Sequence, residues 1–349
     1  MKLTPTRIEP IFSPRIWGAR SLAPLYPEKS NLAEPLGEAW LSGVDCRIAS
    51  GPYTGKTLGE AWTEMPAEWR GGQLADVADF PLLVKFIFPT DQLSIQVHPD
   101  DAYASVNEKA AGGRGKTEMW HVVSAEAGAR VLVGLDPKVD EENLRELLGR
   151  DTLENLFIHW RVQPGDTFFV PAGTPHTIGK DMVICEVQQY SDLTYRIYDY
   201  RRLDAQGNPR ELHIEKALDV IRFGRTMAGK ASRMQLSARG FERVLLAACP
   251  YFATELWKNF RQIETQAHPR HFDLLVILSG SGQFVWSDGS AEYHRGECWL
   301  IPAGLGTWSL NSAEPSKVLR TYVPDLPALR AGLERDGHSW RELKKTVFD

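Results

Sequence analysis

Polar and apolar residues alternate in short runs along most of the chain, and Gly, Pro, Asn and Asp fall between the runs. This two-residue period predicts strands joined by tight turns. In residues 1–50, Arg15-Ile16-Trp17-Gly18 and the run from Pro35 to Gly43 read as strands with aromatic anchors. Pro81 to Phe88 is the most apolar strand, interrupted by Lys85, which implies an edge position, a buried ion pair or a cavity-lining cation. From Leu93 onward, Ser94, Gln96 and His98 share one face, while Ile95 and Val97 turn to a core. Pro99 ends that strand, and Asp100 is placed to cap a helix over residues 102–111. Glu118 to Val123 is another strand, with Glu118 and Trp120 on one face; His121, on the other, reads as structural or solvated. Helical spacing in 140–148 and 151–157 predicts a helical insert at about 136–162. Residues 213–223 read as an amphipathic helix and 224–240 as a linker.

The stretch from Gly165 to His176 carries the strongest local signal. A Gly-Asp turn starts a strand over Thr167 to Val170, and Pro171-Ala172-Gly173-Thr174-Pro175 then fixes the backbone so that His176 heads the next strand. A rigid mount of this kind suits a metal-binding histidine. Gly296 to Thr307 repeats the stretch position by position, with Thr307 where His176 stands, and Asp273 to Gly282 parallels Glu118 to Gly128. No parallel to Gln96-x-His98 is expected in this half. The chain thus reads as mainly β, two similar antiparallel barrels of jelly-roll type over residues 1–225 and 226–349, with metal ligands in the first only.

With 349 residues, two domains can each hold a core. A net charge of −5 without a basic stripe argues against nucleic acid. No apolar run approaches the ~20 residues of a membrane span, and the N-terminus lacks the apolar core of a signal peptide. Cys46, Cys185, Cys249 and Cys298 form no Cys-x-x-Cys pair, which implies reduced thiols and a cytoplasmic setting. A small-molecule substrate and a monomer are the expectation.

His98, Glu118 and His176, with Gln96 as fourth, all fall on or at the ends of strands in the first barrel. Two imidazoles, a carboxylate and open positions describe a catalytic site for zinc, one ion per chain, although iron, manganese or cobalt accept the same set. An iron-dependent oxygenase and a non-catalytic sugar-binding barrel stay open on this pattern alone.

Gly165 to His176 resembles the second motif of the cupin superfamily, whose jelly-roll is also called a double-stranded β-helix. Trp17-Gly18, Gly37-Glu38-Ala39-Trp40, Gln96-Val97-His98-Pro99-Asp100-Asp101, Gly115-Lys116-Thr117-Glu118-Met119-Trp120 and Ser191-Asp192-Leu193-Thr194-Tyr195-Arg196 narrow the likeness to the short bacterial form of the type I mannose-6-phosphate isomerases. The resemblance implies interconversion of mannose 6-phosphate and fructose 6-phosphate. It assigns His98, Glu118 and His176, with Gln96, to zinc, Arg196 to catalysis and Lys116 to substrate. Lys180 departs from the motif's final asparagine. The chemistry moves a proton between neighbouring carbons through an enediol, whose oxyanion needs a fixed positive partner. Arg196 supplies one at any pH. Lys116, Arg114 and Arg202 suit a phosphate. Glu38, Asp192, Lys116, Lys85 and water are the candidate proton carriers.

Overall fold

A computed structural model describes residues 2–204, 207–224 and 226–349, so the first expected domain's end at residue 225 lies outside the described residues. The strands pair antiparallel throughout and form sheets of nine, seven and five strands. The seven-stranded sheet runs in the order 229–230, 167–170, 118–125, 182–189, 82–87, 36–42, 11–19. The main path of the nine-stranded sheet runs 6–8, 298–301, 273–279, 307–322, 253–266, 242–248, 234–236. The two orders correspond strand for strand, and so does the register. Glu118 lies opposite Val170, and Asp273 lies opposite Ile301, each partner directly preceding a Pro-Ala-Gly turn.

Each half lends the other an edge strand. Thr6–Ile8 pairs with Cys298–Leu300, and Gly229–Lys230 pairs with Phe168–Phe169. Residues 224–240, expected to be linker, thus contain the strands Gly229–Lys230 and Met234–Leu236. Pairing overrides a composition that reads as loop, because an open sheet edge is available there. The sheets meet on one apolar cluster that draws Trp62, Phe80, Phe86, Met119 and Phe169 from the first half and Phe252, Phe272 and Leu274 from the second. Phe80 stacks on Phe272 at 5.2 Å between centroids.

The five-stranded sheet, 195–198, 95–97, 176–178, 130–135, 157–161, covers the inner face of the first half. Ile95 and Val97 are fully buried in its core with Leu132 and Ile197. Asp100 caps the helix Asp101–Asn107, its side chain accepting from the Tyr103 amide. The helix Glu141–Leu147 and the 3-10 turn Asp151–Leu156 stand between the strands Arg130–Leu135 and Phe157–Arg161. His121 is buried beside the Thr167 hydroxyl, a structural placement.

Candidate metal centre

Three strands and two turns bring the donors together. His176 opens the strand His176–Ile178 and lies directly opposite Gln96. The turn before it is tied to the neighbouring strand, since the Gly173 amide donates to the His98 carbonyl at 2.8 Å. Gly173 sits at φ +83°, and an added side chain would meet the Val220 carbonyl at 2.7 Å. Gly115 has no room either, its absent Cβ falling 2.6 Å from the Asp100 backbone. That close approach brings Lys116 back beside His98, with the Lys116 amide on the Pro99 carbonyl at 3.0 Å.

One donor atom from each of His98, Glu118 and His176 lies within 4.8 Å of the others, and all three residues are buried. The His98 Nδ1 donates to the Leu193 carbonyl at 2.7 Å, and the His176 Nδ1 donates to the Thr174 carbonyl at 2.8 Å. A carbonyl only accepts, so both Nε2 lone pairs are left to face inward. They stand 3.5 Å and 3.4 Å from the two Glu118 oxygens. Burial and the nearby Lys116 hold the His98 imidazole well below its ordinary value; burial brings His176 to about 4. Both rings are therefore neutral at pH 7, the form that binds metals. Glu118 is oriented from two sides, by the Trp120 indole at 3.0 Å and the Lys116 ammonium at 2.6 Å. That ammonium also lies 3.1 Å from the His98 Nε2, so the donor set is already arranged around positive charge. Two neutral imidazoles, a carboxylate and the adjacent Gln96 amide fit a divalent transition ion.

A cavity of about 390 Å³ leads to the cluster, lined by Gln96 and Lys116 at one end and by Arg15, Lys85, Arg196 and Arg210 along its walls. A larger cavity of about 540 Å³ lies elsewhere, around Tyr26 and Glu297, away from the metal-type donors. Lys85 is buried, 3.9 Å from Glu186 and 3.6 Å from Asp192, with its ammonium over the Trp40 ring. Burial and the Glu118 charge push the Glu186 carboxyl up. Burial also pushes Glu38 up, but Lys85 and Arg15 outweigh it and hold the carboxyl below its ordinary value. Arg196 lies opposite Gln96 and donates one Nη to the Glu211 carbonyl at 2.8 Å, and its buried Nε has no hydrogen-bond partner among the described residues. Burial and the neighbouring Arg210 pull its pKa down.

Arg114 and Arg202, expected as phosphate partners, do not line this cavity. Arg114 is drawn to Asp79 at 2.8 Å, and Arg202 to Asp199 at 2.6 Å. Arg15 and Arg210, paired with Glu38 and Asp199, line it instead, and neither was singled out by sequence. Glu186 was also missed, although its alternation with Gln188 inside an apolar strand marks a polar face.

The family described as phosphomannose isomerase type I, catalytic domain, matches residues 6–121. The chain is 35% identical over 302 residues to the mannose-6-phosphate isomerase of Streptococcus mutans, covering 85% of this chain and 92% of that protein. The crystal structure of the Bacillus subtilis mannose 6-phosphate isomerase superposes with a TM-score of 0.83 at 30% identity, covering 91% of this chain and 99% of that one. A zinc-bound mannose 6-phosphate isomerase structure at 16% identity shares the fold with a TM-score of 0.71, over 91% and 99% of the two chains. By its sequence kinship over most of its length, the chain belongs to the type I phosphomannose isomerase family.

Proposed function

We propose that the chain interconverts mannose 6-phosphate and fructose 6-phosphate with a divalent metal, zinc, held by His98, Glu118 and His176 and joined by Gln96. The observation that carries this reading is the pair of buried imidazoles, both offering Nε2 within 3.5 Å of one carboxylate at the end of a cationic cavity. The names of the Streptococcus and Bacillus relatives support the substrate, and the zinc-bound relative supports the metal. Walls carrying Arg15, Lys85, Arg196 and Arg210 suit a phosphate ester better than the apolar substrate of an oxygenase.

Bound there, the metal supplies Lewis-acid polarisation of the sugar's carbonyl oxygen. The chain's own groups do the rest. Arg15 and Arg210 hold the phosphate. Lys116, buried beside Glu118, faces the sugar oxygens and keeps the carboxylate in position. Arg196 directs its unspent Nε at the enediolate, a fixed charge that needs no reorganisation as the oxyanion forms. Lys85 and Glu186 carry the proton; a carboxyl with a raised pKa is suited to exchange protons near neutral pH. We also assign the two strand sets to two cupin domains, 1–225 and 226–349, with the helix Glu141–Leu147 and the turn Asp151–Leu156 as an insert. The four buried free cysteines fit a reducing cytoplasm, where we take the chain to act as a monomer.

Turnover and bound metal, measured on the same samples of wild type and His176→Ala, test this. The variant should lose both while its circular dichroism is kept. Wild-type turnover in a metal-free His176→Ala protein would sink the assignment.

A further inference from the structure

The second half keeps the frame of the metal site and reverses its charge. His176 lies opposite Gln96, and Thr307 lies opposite Gln266. Register thus aligns Gln266-Ala267-His268-Pro269 with Gln96-Val97-His98-Pro99, and the expectation that this half lacks such a segment is overturned. In the seven-stranded sheet Glu186 pairs with Lys85, and in the nine-stranded sheet Arg320 pairs with Glu255 at the equivalent place. Glu38 lies opposite Ile87, and Arg243 lies opposite Trp257, two residues beyond those pairs. The row Glu38, Lys85, Glu186 has become Arg243, Glu255, Arg320.

Glu255 and Asp273 are buried beneath the guanidinium groups. Arg243 grips Glu255 with two bonds at 2.7 and 2.8 Å, and Arg320 lies 2.9 Å from Asp273. The unspent donors face a cavity of about 340 Å³ that Arg243, Arg270, Arg320 and His268 line together. Arg320 Nε is buried without a hydrogen-bond partner among the described residues. Arg243 Nη1 has no hydrogen bond among the described residues, and Arg270 uses only one Nη, on Asp325. His268 Nδ1 accepts from the Arg270 amide at 3.2 Å, so its neutral ring carries the proton on Nε2 and donates. The acids on the same wall offer little opposition. Asp325 is engaged by Arg270 and the Ala328 amide, and Asp336 is at the exposed end of its helix.

We propose that this cavity binds the phosphate group of a small phosphorylated molecule. Its donors come from separate elements, the strands 242–248 and 307–322 and the loop 267–272, which suits the three terminal oxygens of a tetrahedral phosphate better than the two of a planar carboxylate. The volume admits a small ester and not a macromolecular segment.

Calorimetry on the full, metal-loaded chain tests this, with inorganic phosphate as probe and malonate as a dianion that offers only carboxylate oxygens, at fixed ionic strength. Wild type should bind two phosphates per chain, one in each half. The double substitution His268→Ala, Arg270→Ala removes exposed side chains and spares the buried network, so the protein should fold and lose one site. Its Kd there should rise by about tenfold or more. Arg210→Ala should weaken the other site only. A single phosphate per chain whose isotherm is unchanged by the double substitution overturns the proposal, as does malonate binding this site as tightly as phosphate.

Discussion

Two halves with the same strand order have solved the problem of a polar barrel interior in opposite ways. The first gathers neutral imidazoles and one ammonium, that of Lys116, around Glu118, and its donor set suits an exchangeable divalent cation. The second has only covalently fixed cations, with Arg320 beside both Asp273 and Glu255. In the second half burial pushes the Glu255 carboxyl up, yet Arg320 and Arg243 more than offset it and hold it down at about 2. The fold tolerates either solution, because backbone pairing and the apolar face set the barrel, and the polar interior need only be neutralised.

The largest effect should come from separating the halves. A chain cut after residue 225 loses the strand Gly229–Lys230 from its sheet edge and exposes Trp62, Phe80, Met119 and Phe169. Each such side chain is worth about 1.5–3 kcal/mol when buried, against a total stability of about 5–15 kcal/mol. The fragment should be insoluble or unfolded by circular dichroism. A soluble, cooperatively melting fragment would show that the halves are related only by ancestry and do not depend on each other.

Arg196→Ala should lower kcat by roughly 10²–10³, the usual cost of losing one stabilising donor to an oxyanion. Metal content by mass spectrometry should stay at the wild-type level, because Arg196 touches none of the three ligands directly. A parallel fall in both would make it a support for the Gln96 strand.

Acid should distinguish ligand loss from unfolding. A lowered imidazole pKa means that the folded site resists protons, so the His176 lone pair persists as pH falls from 6.5 to about 4. Dialysis should leave metal bound at pH 5 and release it near pH 4. In the metal-free protein the sign is unfavourable to the fold. The unfolded chain takes up protons below pH 6.5 while the buried rings do not, and stability should drop by on the order of 1 kcal/mol per pH unit per ring. Metal loss already complete at pH 6 would mean that the rings are solvated.

Much of this was legible in the sequence, for identifiable reasons. Turn residues are local signals, so Gly165 to His176 and its echo at Gly296 to Thr307 stood out without tertiary information. The candidate ligands followed because alternation put Gln96 and His98 on one face. What was missed depends on pairing at a distance. Arg210 lies in a loop with no period, and its place on the cavity wall, paired with Asp199, is visible only in the fold. The Gln266-Ala267-His268-Pro269 segment was in plain view. It escaped because the first half places a helix and a glycine turn between His98 and Glu118, while the second passes from His268 to Asp273 almost directly.

The smallest expected effect is also the sharpest test of why the halves differ. Thr307→His restores the missing imidazole, so that Gln266, His268, Asp273 and a new histidine repeat the ligand set by register. If the lost ligand alone separated the halves, the variant should take up a second metal. The geometry predicts that it will not. Asp273 is committed through one oxygen to Arg320 at 2.9 Å and to His271 at 3.3 Å. His268 is exposed and stacked on His271 at 4.2 Å, which in turn stacks on Tyr322, so reaching inward would break a three-ring column. Metal content should therefore stay at the wild-type value, with little change in melting temperature since Thr307 is exposed. A doubled metal content would mean that Arg320 swings aside easily, and that the reversed charge row is a consequence of losing one histidine and not the cause of the barrel's different chemistry.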